Sequence, residues 1–263
     1  MGRMQDKVTI ITGGGSGMGQ ASVRVFGDEG AIVVVADINE AAGQAMADEL
    51  TAKGQEAMFV KVDISSEEST AAMAKTVMDK YGRIDSLVNF AAAGGSAHSD
   101  TFMVYGKLWE FDLASWEKML RINLTGTFLI TKAVVPYMIE AKSGSIVYVS
   151  SLNGLQGIQN ADAYTATKGG ICALTRVMAA NVGDYNIRVN CLCPGVVATP
   201  QHGEGWEQMI GKPMNGIGLS VKTPINRVGL AVEQAQAALW LASDDASFVT
   251  GVNLPVDGGW NAI

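Results

Sequence analysis

At 263 residues, 48% hydrophobic and 17% charged, the chain is long enough for one large domain that buries most of its apolar surface, and too apolar for extensive disorder. Its net charge of −7, with Lys and Arg scattered rather than clustered, argues against a nucleic-acid surface. No internal repeat, linker or run of like charge divides it.

Short apolar runs alternate with amphipathic stretches along the chain. Val8 to Thr12 is a first strand, Met18 to Glu29 a helix that stops before Gly30, and Ala31 to Ala36 a second strand apolar on both faces. A helix over Asn39 to Lys53 ends before Gly54, and a third strand lies near Ala57 to Val62. Ser65-x-x-Glu68 has the form of a capping box opening a helix that ends around Tyr81-Gly82, and Ile84 to Asn89 is strand four. From 93 to 112 the periodicity fails, and His98, Phe102, Met103, Tyr105, Trp109 and Phe111 share one loop-like excursion. A long helix covers Ala114 to Ala141, adjusted near Pro136, and Ser145 to Ser150 is strand five. Ala163 to Val182 is the next helix, Ile187 to Cys193 a sixth strand, and 201–223 an irregular Gly-rich segment. Val232 to Ala242 is a final helix and Asn253 to Val256 a short last strand. Such alternation is the pattern of right-handed βαβ units. The expected fold is α/β: a single doubly wound Rossmann-type domain over 1–263, a central parallel seven-stranded sheet with helices on both faces.

Apolar runs such as Ala31 to Ala36 are strand-length, short of the ~20 residues that cross a bilayer, so no membrane segment is expected. Met1-Gly2-Arg3 leads almost directly into a strand without the apolar stretch of a signal peptide, which makes the cytoplasm the expected location. Cys191 and Cys193 are read as lying on opposite faces of a strand and, with Cys172, as reduced core thiols outside any disulfide framework. With only His98 and His202, and no Cys-x-x-Cys or His-Glu-x-x-His spacing, metal-free chemistry is expected.

The run Thr12-Gly13-Gly14-Gly15-Ser16-Gly17-Met18-Gly19 follows a strand and opens a helix, where backbone amides and the helix N-terminus can receive a pyrophosphate. A plain Gly-rich turn needs fewer glycines. Asp37 ends the second strand about twenty residues further on, placed to hydrogen-bond adenosine ribose hydroxyls and to repel a 2′-phosphate. Neither Ser16 nor Ile38 offers a cation for such a phosphate, so NAD is favoured over NADP. Tyr164 and Lys168 stand one helical turn apart on one face; a neighbouring ammonium favours the phenolate and suits Tyr164 to general acid–base work. Taken alone, that spacing also describes a solvated helix face.

With loop, acid and Tyr-x-x-x-Lys in register, the sequence resembles the short-chain dehydrogenase/reductase family over essentially its whole length. The resemblance implies further site residues. Asp63 and Ile64 would border the adenine. Asn89-Phe90-Ala91-Ala92 occupies the family's Asn-Asn-Ala-Gly position, keeping the strand-stabilising Asn89, with Ala91 beside the cofactor and Phe90 and Ala92 as departures. Asn123 matches the fourth member of the catalytic tetrad, which holds a water linking Lys168 to solvent. Ser151, thirteen residues before Tyr164, is chosen over Ser150 as the substrate-polarising serine. Pro194-Gly195-Val196-Val197-Ala198-Thr199-Pro200 matches the segment that meets the nicotinamide carboxamide, through the Val197 backbone and the Thr199 hydroxyl. The implied cofactor set is Gly13, Gly15, Ser16, Gly17, Met18, Gly19, Asp37, Ile38, Asp63, Ile64, Asn89, Ala91, Tyr164, Lys168, Pro194, Gly195, Val197 and Thr199.

The expected reaction is hydride transfer between NAD(H) and a secondary alcohol or ketone, with Tyr164 moving the proton, Ser151 holding the oxygen, and Lys168 and the cationic ring of NAD⁺ both lowering the phenol's pKa. A substrate pocket is expected from 93–112, Leu152 to Gln156, and 201–223 with Trp206, Met209 and Met214, whose apolar character suits a cyclic or aromatic small molecule. Two alternatives remain: a 3-oxoacyl reductase of fatty-acid synthesis, against which Asp37 and the acidic surface count, and a non-catalytic NAD(H)-sensing protein. The resemblance further implies a homotetramer, with the helices at Ala114 to Ala141 and Ala163 to Val182 pairing across an interface.

Overall fold

The computed structural model describes residues 2–93, 106–217 and 223–262. Seven parallel strands form one sheet: β1 (Val8–Thr12), β2 (Ile32–Asp37), β3 (Ala57–Lys61), β4 (Ser86–Asn89), β5 (Gly144–Val149), β6 (Ile187–Pro194) and, after two short strands noted below, β9 (Asn253–Val256). Their order is β3-β2-β1-β4-β5-β6-β9. The order reverses between β1 and β4, and at such a switch the crossovers leave a crevice beyond the carboxyl ends of the strands.

Strand periodicity builds the two cores. Ile10, Val34 and Val189 face one layer, and Ile11, Val33 and Leu192 face the other. Helices α3 (Glu67–Tyr81), α5 (Gly126–Ala141) and α6 (Asp162–Val182) cover the first face through Val77, Val134 and Ile171. Helices α1 (Gly17–Asp28), α2 (Glu40–Ala52) and α7 (Ala231–Ala242) cover the second through Phe26, Leu50 and Leu239. Burial on both faces is why these strands read as continuous apolar runs. Strands β7 (Val197–Ala198) and β8 (Gly229–Leu230) form a separate two-stranded ladder beside the crevice.

Several local expectations are corrected. The capping serine of α3 is Ser66, which accepts from Ser69 N at 3.2 Å, one residue later than the Ser65 box. Ser65 instead donates its hydroxyl to Asp63 Oδ1 at 2.7 Å. The long helix expected from Ala114 does not run unbroken with an adjustment at Pro136. It consists of α4 (Leu113–Met119), a wide π turn over Leu120–Thr125, and α5, with Pro136 inside α5. The whole segment Leu113–Ala141 is long and apolar enough, by length and composition, to cross a bilayer, so not every apolar run is strand-length. Half of its most apolar window is buried here, and Ile130, Val134 and Met138 lie in the core between α3 and the sheet.

Cys191 and Cys193 lie on the same face of β6, not on opposite faces, because side chains repeat every second residue. Cys172 of α6 joins them, and the three free sulfurs lie within 4.8 Å of one another. Burial pushes the Cys191 thiol up to about 12, and Cys172 Sγ donates to Ser150 Oγ at 3.2 Å. The trio sits in the core beneath α6.

Candidate active site

The glycine run forms the turn from β1 into α1. Gly13 and Gly17 hold φ of +66° and +54°, a region open mainly to glycine. A Cβ on Gly19 would stand 2.1 Å from Gly13 O, so helix and loop approach as closely as they do only without a side chain there. Helix α1 opens at Ser16 with no side-chain cap and no acidic residue in its first turn, leaving its positive end open to an anion. Asp37 reaches across to this loop: Oδ2 accepts from Gly15 N at 2.9 Å and Oδ1 from Asn39 N at 2.8 Å. The crevice above, a cavity of ≈ 720 Å³, is lined by Gly13, Ser16, Gly17, Met18, Gly19, Asp37, Ile38, Asp63, Ile64, Ala91 and Thr199. Ile38 is 63% exposed at its mouth, an apolar surface left for a flat ring. These features fit a dinucleotide.

Asn89 works from below. Its Oδ1 accepts from Thr12 Oγ1 at 2.5 Å and its Nδ2 donates to Thr127 Oγ1 at 3.1 Å, tying the ends of β1 and β4 to α5. Thr12 Oγ1 in turn accepts from Ala91 N at 3.1 Å.

Tyr164, Lys168, Ser151 and Asn123 come from α6, the end of β5 and the π turn. Lys168 is 2% exposed, its Nζ 5.5 Å from the centre of the Tyr164 ring and donating to Val149 O at 2.9 Å. Burial lowers the Lys168 ammonium to about 8. Burial also pushes the Tyr164 phenol up to about 12, against the opposing hydrogen bond with Ser151. Among the protein's own groups desolvation is therefore the largest effect on this phenol. Asn123 is engaged with main chain: Oδ1 accepts from Ala93 N and Nδ2 donates to Ala93 O, both at 2.8 Å, with Thr167 Oγ1 at 3.4 Å. Its direct partners are thus the loop after β4 and α6 rather than Lys168.

A second cavity of ≈ 700 Å³ adjoins the first through Met18, Thr199 and Gln201. Ser151, Asn153, Tyr164, Pro194, Gly195, Val197, Thr199, His202, Trp206, Met209 and Trp260 are among its walls. The Val197 carbonyl is held by His202 Nε2 at 2.9 Å, so that part of its backbone is already partnered. The chain is thus able to hold an extended two-part ligand across the switch point, with an ionisable phenol and a serine hydroxyl in the wall of the second cavity.

A family model described as enoyl-(acyl carrier protein) reductase, one of the short-chain dehydrogenase/reductase models, matches residues 13–261. The chain belongs to the short-chain dehydrogenase/reductase family. Within it, the chain is 36% identical over 262 residues to cyclopentanol dehydrogenase of Comamonas sp. (strain NCIMB 9872), covering 100% of both chains. It is 40% identical over 266 residues to 2,5-dichloro-2,5-cyclohexadiene-1,4-diol dehydrogenase of Sphingobium indicum, again covering 100% of both. A gluconate 5-dehydrogenase from Burkholderia cenocepacia J2315, solved in complex with NADP and tartrate, superposes with a TM-score of 0.88 at 29% identity, covering 99% of this chain and 98% of that one. As a short-chain dehydrogenase/reductase the chain is an oxidoreductase.

Several residues expected in the substrate cavity lie elsewhere, and others line the cavities in their place. Met214 is buried with Ala198 and Val228 rather than lining the substrate cavity. Trp109 is 81% exposed beside Lys107, whereas Phe111 packs with Trp116, Met119 and Tyr164 and so supports the site. His98, Phe102, Met103 and Tyr105 lie outside the described residues. Trp260 and Lys118, which line the substrate and cofactor cavities, carried no sequence signal, because each arrives from an element whose spatial neighbour is remote in the chain.

Proposed function

We propose that the chain is an NAD(H)-dependent dehydrogenase that interconverts a cyclic secondary alcohol and its ketone. The observation that carries this is the placing of Tyr164 and Ser151, with Lys168 against the Tyr164 ring, in the wall of a second cavity of mixed polar and apolar lining that adjoins the glycine-lined crevice. Relatives named for cyclopentanol and a cyclohexadiene-diol support the ring-alcohol class.

The amides of Gly13 to Gly19 and the open end of α1 would hold the pyrophosphate, and Asp37 the ribose hydroxyls. Ile38, Asp63 and Ile64 would flank the adenine, and Asn89, Ala91, Pro194, Gly195, Val197 and Thr199 the nicotinamide side. The bound nicotinamide would supply hydride acceptance and donation. Tyr164 as phenolate takes the hydroxyl proton in oxidation and as phenol returns it in reduction. Ser151 hydrogen-bonds the substrate oxygen, and Lys168 lies against the Tyr164 ring, where its ammonium favours the phenolate. Asn123 anchors Ala93 and Thr167 and so keeps α6 in position. Asp37 favours NAD, since a 2′-phosphate would meet a carboxylate.

An acyl-carrier-bound substrate, the class for which the matching family model is described, would need a basic landing surface, and the net charge of −7 works against one. A homotetramer belongs to the same reading: Phe128 of α5 and Val177 of α6 are each 50% exposed, apolar surface on the two helices expected to pair.

The test follows nicotinamide absorbance with NAD⁺ and NADP⁺ against cyclic, aromatic and aliphatic secondary alcohols. Turnover of cyclic alcohols with NAD⁺, lost by at least a hundredfold in Tyr164→Phe with NADH binding retained, is expected. Near-wild-type turnover in that variant would remove Tyr164 from the chemistry, and a preference for NADP⁺ would overturn the role given to Asp37.

A further inference from the structure

The three cysteines take no part in the proposed reaction, yet their arrangement is more specific than core packing requires. Cys191 and Cys193 project from one face of β6 and Cys172 meets them from α6, so the three sulfurs lie within 4.8 Å of one another. All are free thiols, Cys191 and Cys193 0% exposed and Cys172 4% exposed. An ion such as zinc bonds thiolate at ~2.3 Å, which sets its sulfur ligands roughly 4 Å apart in a trigonal or tetrahedral site. The observed spacing closes on such an ion through small side-chain shifts.

Two neighbours suit a metal better than a cluster of neutral thiols. Asn253 of β9 is paired in register with Cys191, and its Nδ2 donates to Cys172 O at 3.5 Å. Its Oδ1 is buried and has no hydrogen-bond partner among the described residues. Such an orphaned acceptor is satisfied by a cation or by the cation's water. Lys168, 2% exposed, is near enough to interact electrostatically with all three sulfurs. A buried ammonium offsets the negative charge that thiols acquire when they bind a metal. The way in is the ≈ 700 Å³ cavity: Ser150 is in its wall, and Cys172 Sγ donates to Ser150 Oγ at 3.2 Å.

We propose that Cys172, Cys191 and Cys193 form an inhibitory site for a soft divalent cation of the zinc group, beneath α6. Each thiol releases its proton to solvent and uses a sulfur electron pair for the bond to the metal. A divalent ion and the three thiols thus give a metal trithiolate of single negative charge and three protons, with nothing oxidised or reduced. This anion competes with the Tyr164 phenolate for the Lys168 ammonium. It also takes Cys172 Sγ away from Ser150 Oγ, which itself donates to Lys168 O at 2.8 Å. Ion binding therefore reaches the proton-transfer residues without touching substrate or cofactor. The inhibition rests on the dehydrogenase reading above; the metal site does not.

The experiment titrates the reduced full chain, freed of reductant, with Cd²⁺. Thiolate-to-cadmium charge-transfer absorbance is expected to rise and stop at a single equivalent, to vanish on adding a chelator, and to be accompanied in weak buffer by release of about three protons per ion. In Cys172→Ala and Cys193→Ala, each shown to be folded by its melting curve, affinity read from the same absorbance is expected to fall about a hundredfold. Should either variant not fold, the other carries the comparison, and the proton count needs no variant. Cd²⁺ binding without the charge-transfer band, as surface carboxylates would give, overturns the site. So does a band that is unchanged in Cys172→Ala. With NAD⁺ and a cyclic alcohol, saturating Cd²⁺ is expected to lower wild-type turnover about tenfold, reversibly with chelator, and to leave the turnover of Cys172→Ala as it was before the ion was added. Unaltered wild-type turnover under a full band overturns the inhibition. A chain that shows the band and oxidises no alcohol bears out the metal site and removes the dehydrogenase reading instead.

Discussion

Lys168 and Tyr164 are titratable groups held where water is scarce, and burial acts on them in opposite senses. The Lys168 ammonium loses its proton in the folded chain near 8 instead of the ordinary 10.5. Between those values the unfolded chain binds one more proton than the folded one, so this group makes stability rise with pH from about 8 to about 10.5. Tyr164, raised from 10 to about 12, works the other way: its contribution is present below pH 10 and is lost as pH climbs toward 12. Cys191, also raised by burial, works in the same sense as Tyr164 from about pH 9, but it is common to the wild type and a Lys168 variant, so the comparison of the two isolates Lys168 between pH 8 and 10. There the wild type should gain stability relative to Lys168→Met, by up to roughly 3 kcal/mol if the whole shift is expressed. Urea unfolding at pH 7.5, 8.5 and 9.5 measures this, and parallel curves for the two proteins would mean that burial does not control the Lys168 proton. The same residues bear on catalysis. A phenol this reluctant to ionise needs nearby positive charge before it can serve as a base near neutral pH.

Among the elements, the loop entering α1 has the least freedom to change. The Gly19 position meets Gly13 O at 2.1 Å with even a single added carbon, so Gly19→Ala must displace either the loop or the helix. NADH affinity in that variant, followed by fluorescence titration, is expected to fall at least tenfold, and an unchanged affinity would show that the close approach is dispensable. The π turn over Leu120–Thr125 illustrates a different dependence. Its widened turn places Asn123 where both ends of the carboxamide grip Ala93, which joins the loop after β4 to α6. Local sequence does not announce that widening, since a π turn is a rare single-turn feature inside otherwise α-helical segments. The α3 cap has the same lesson on a smaller scale. Ser65 and Ser66 both offer the right side chain, and the backbone geometry at Ser66, with φ −108° and ψ 121°, decides between them.

At the scale of the molecule, the crossing point between β1 and β4 brings residues from 13 to 260 around two adjoining cavities. The outer faces of α5 and α6 leave Phe128 and Val177 half-exposed. Light scattering should report a mass four times that of the chain, and Val177→Glu should lower it by placing charge in an apolar contact. A monomeric wild type would end the tetramer reading.

Much of this was legible in the residues. All seven sheet strands, the Gly-rich turn, Asp37 at the end of β2 and the Tyr164–Lys168 spacing follow from local pattern, because strand and helix periods and glycine's backbone freedom act within a few residues. The tertiary structure decided what depends on remote neighbours. It turned Cys191 and Cys193 toward Cys172, gave Asn123 to Ala93, sank Met214 into the core and brought Trp260 to the substrate cavity. It also set the desolvation that raises the Tyr164 phenol in the chain by itself. Spacing brings the ammonium close, but desolvation depends on everything packed around the ring, and no single segment of the chain contains that information.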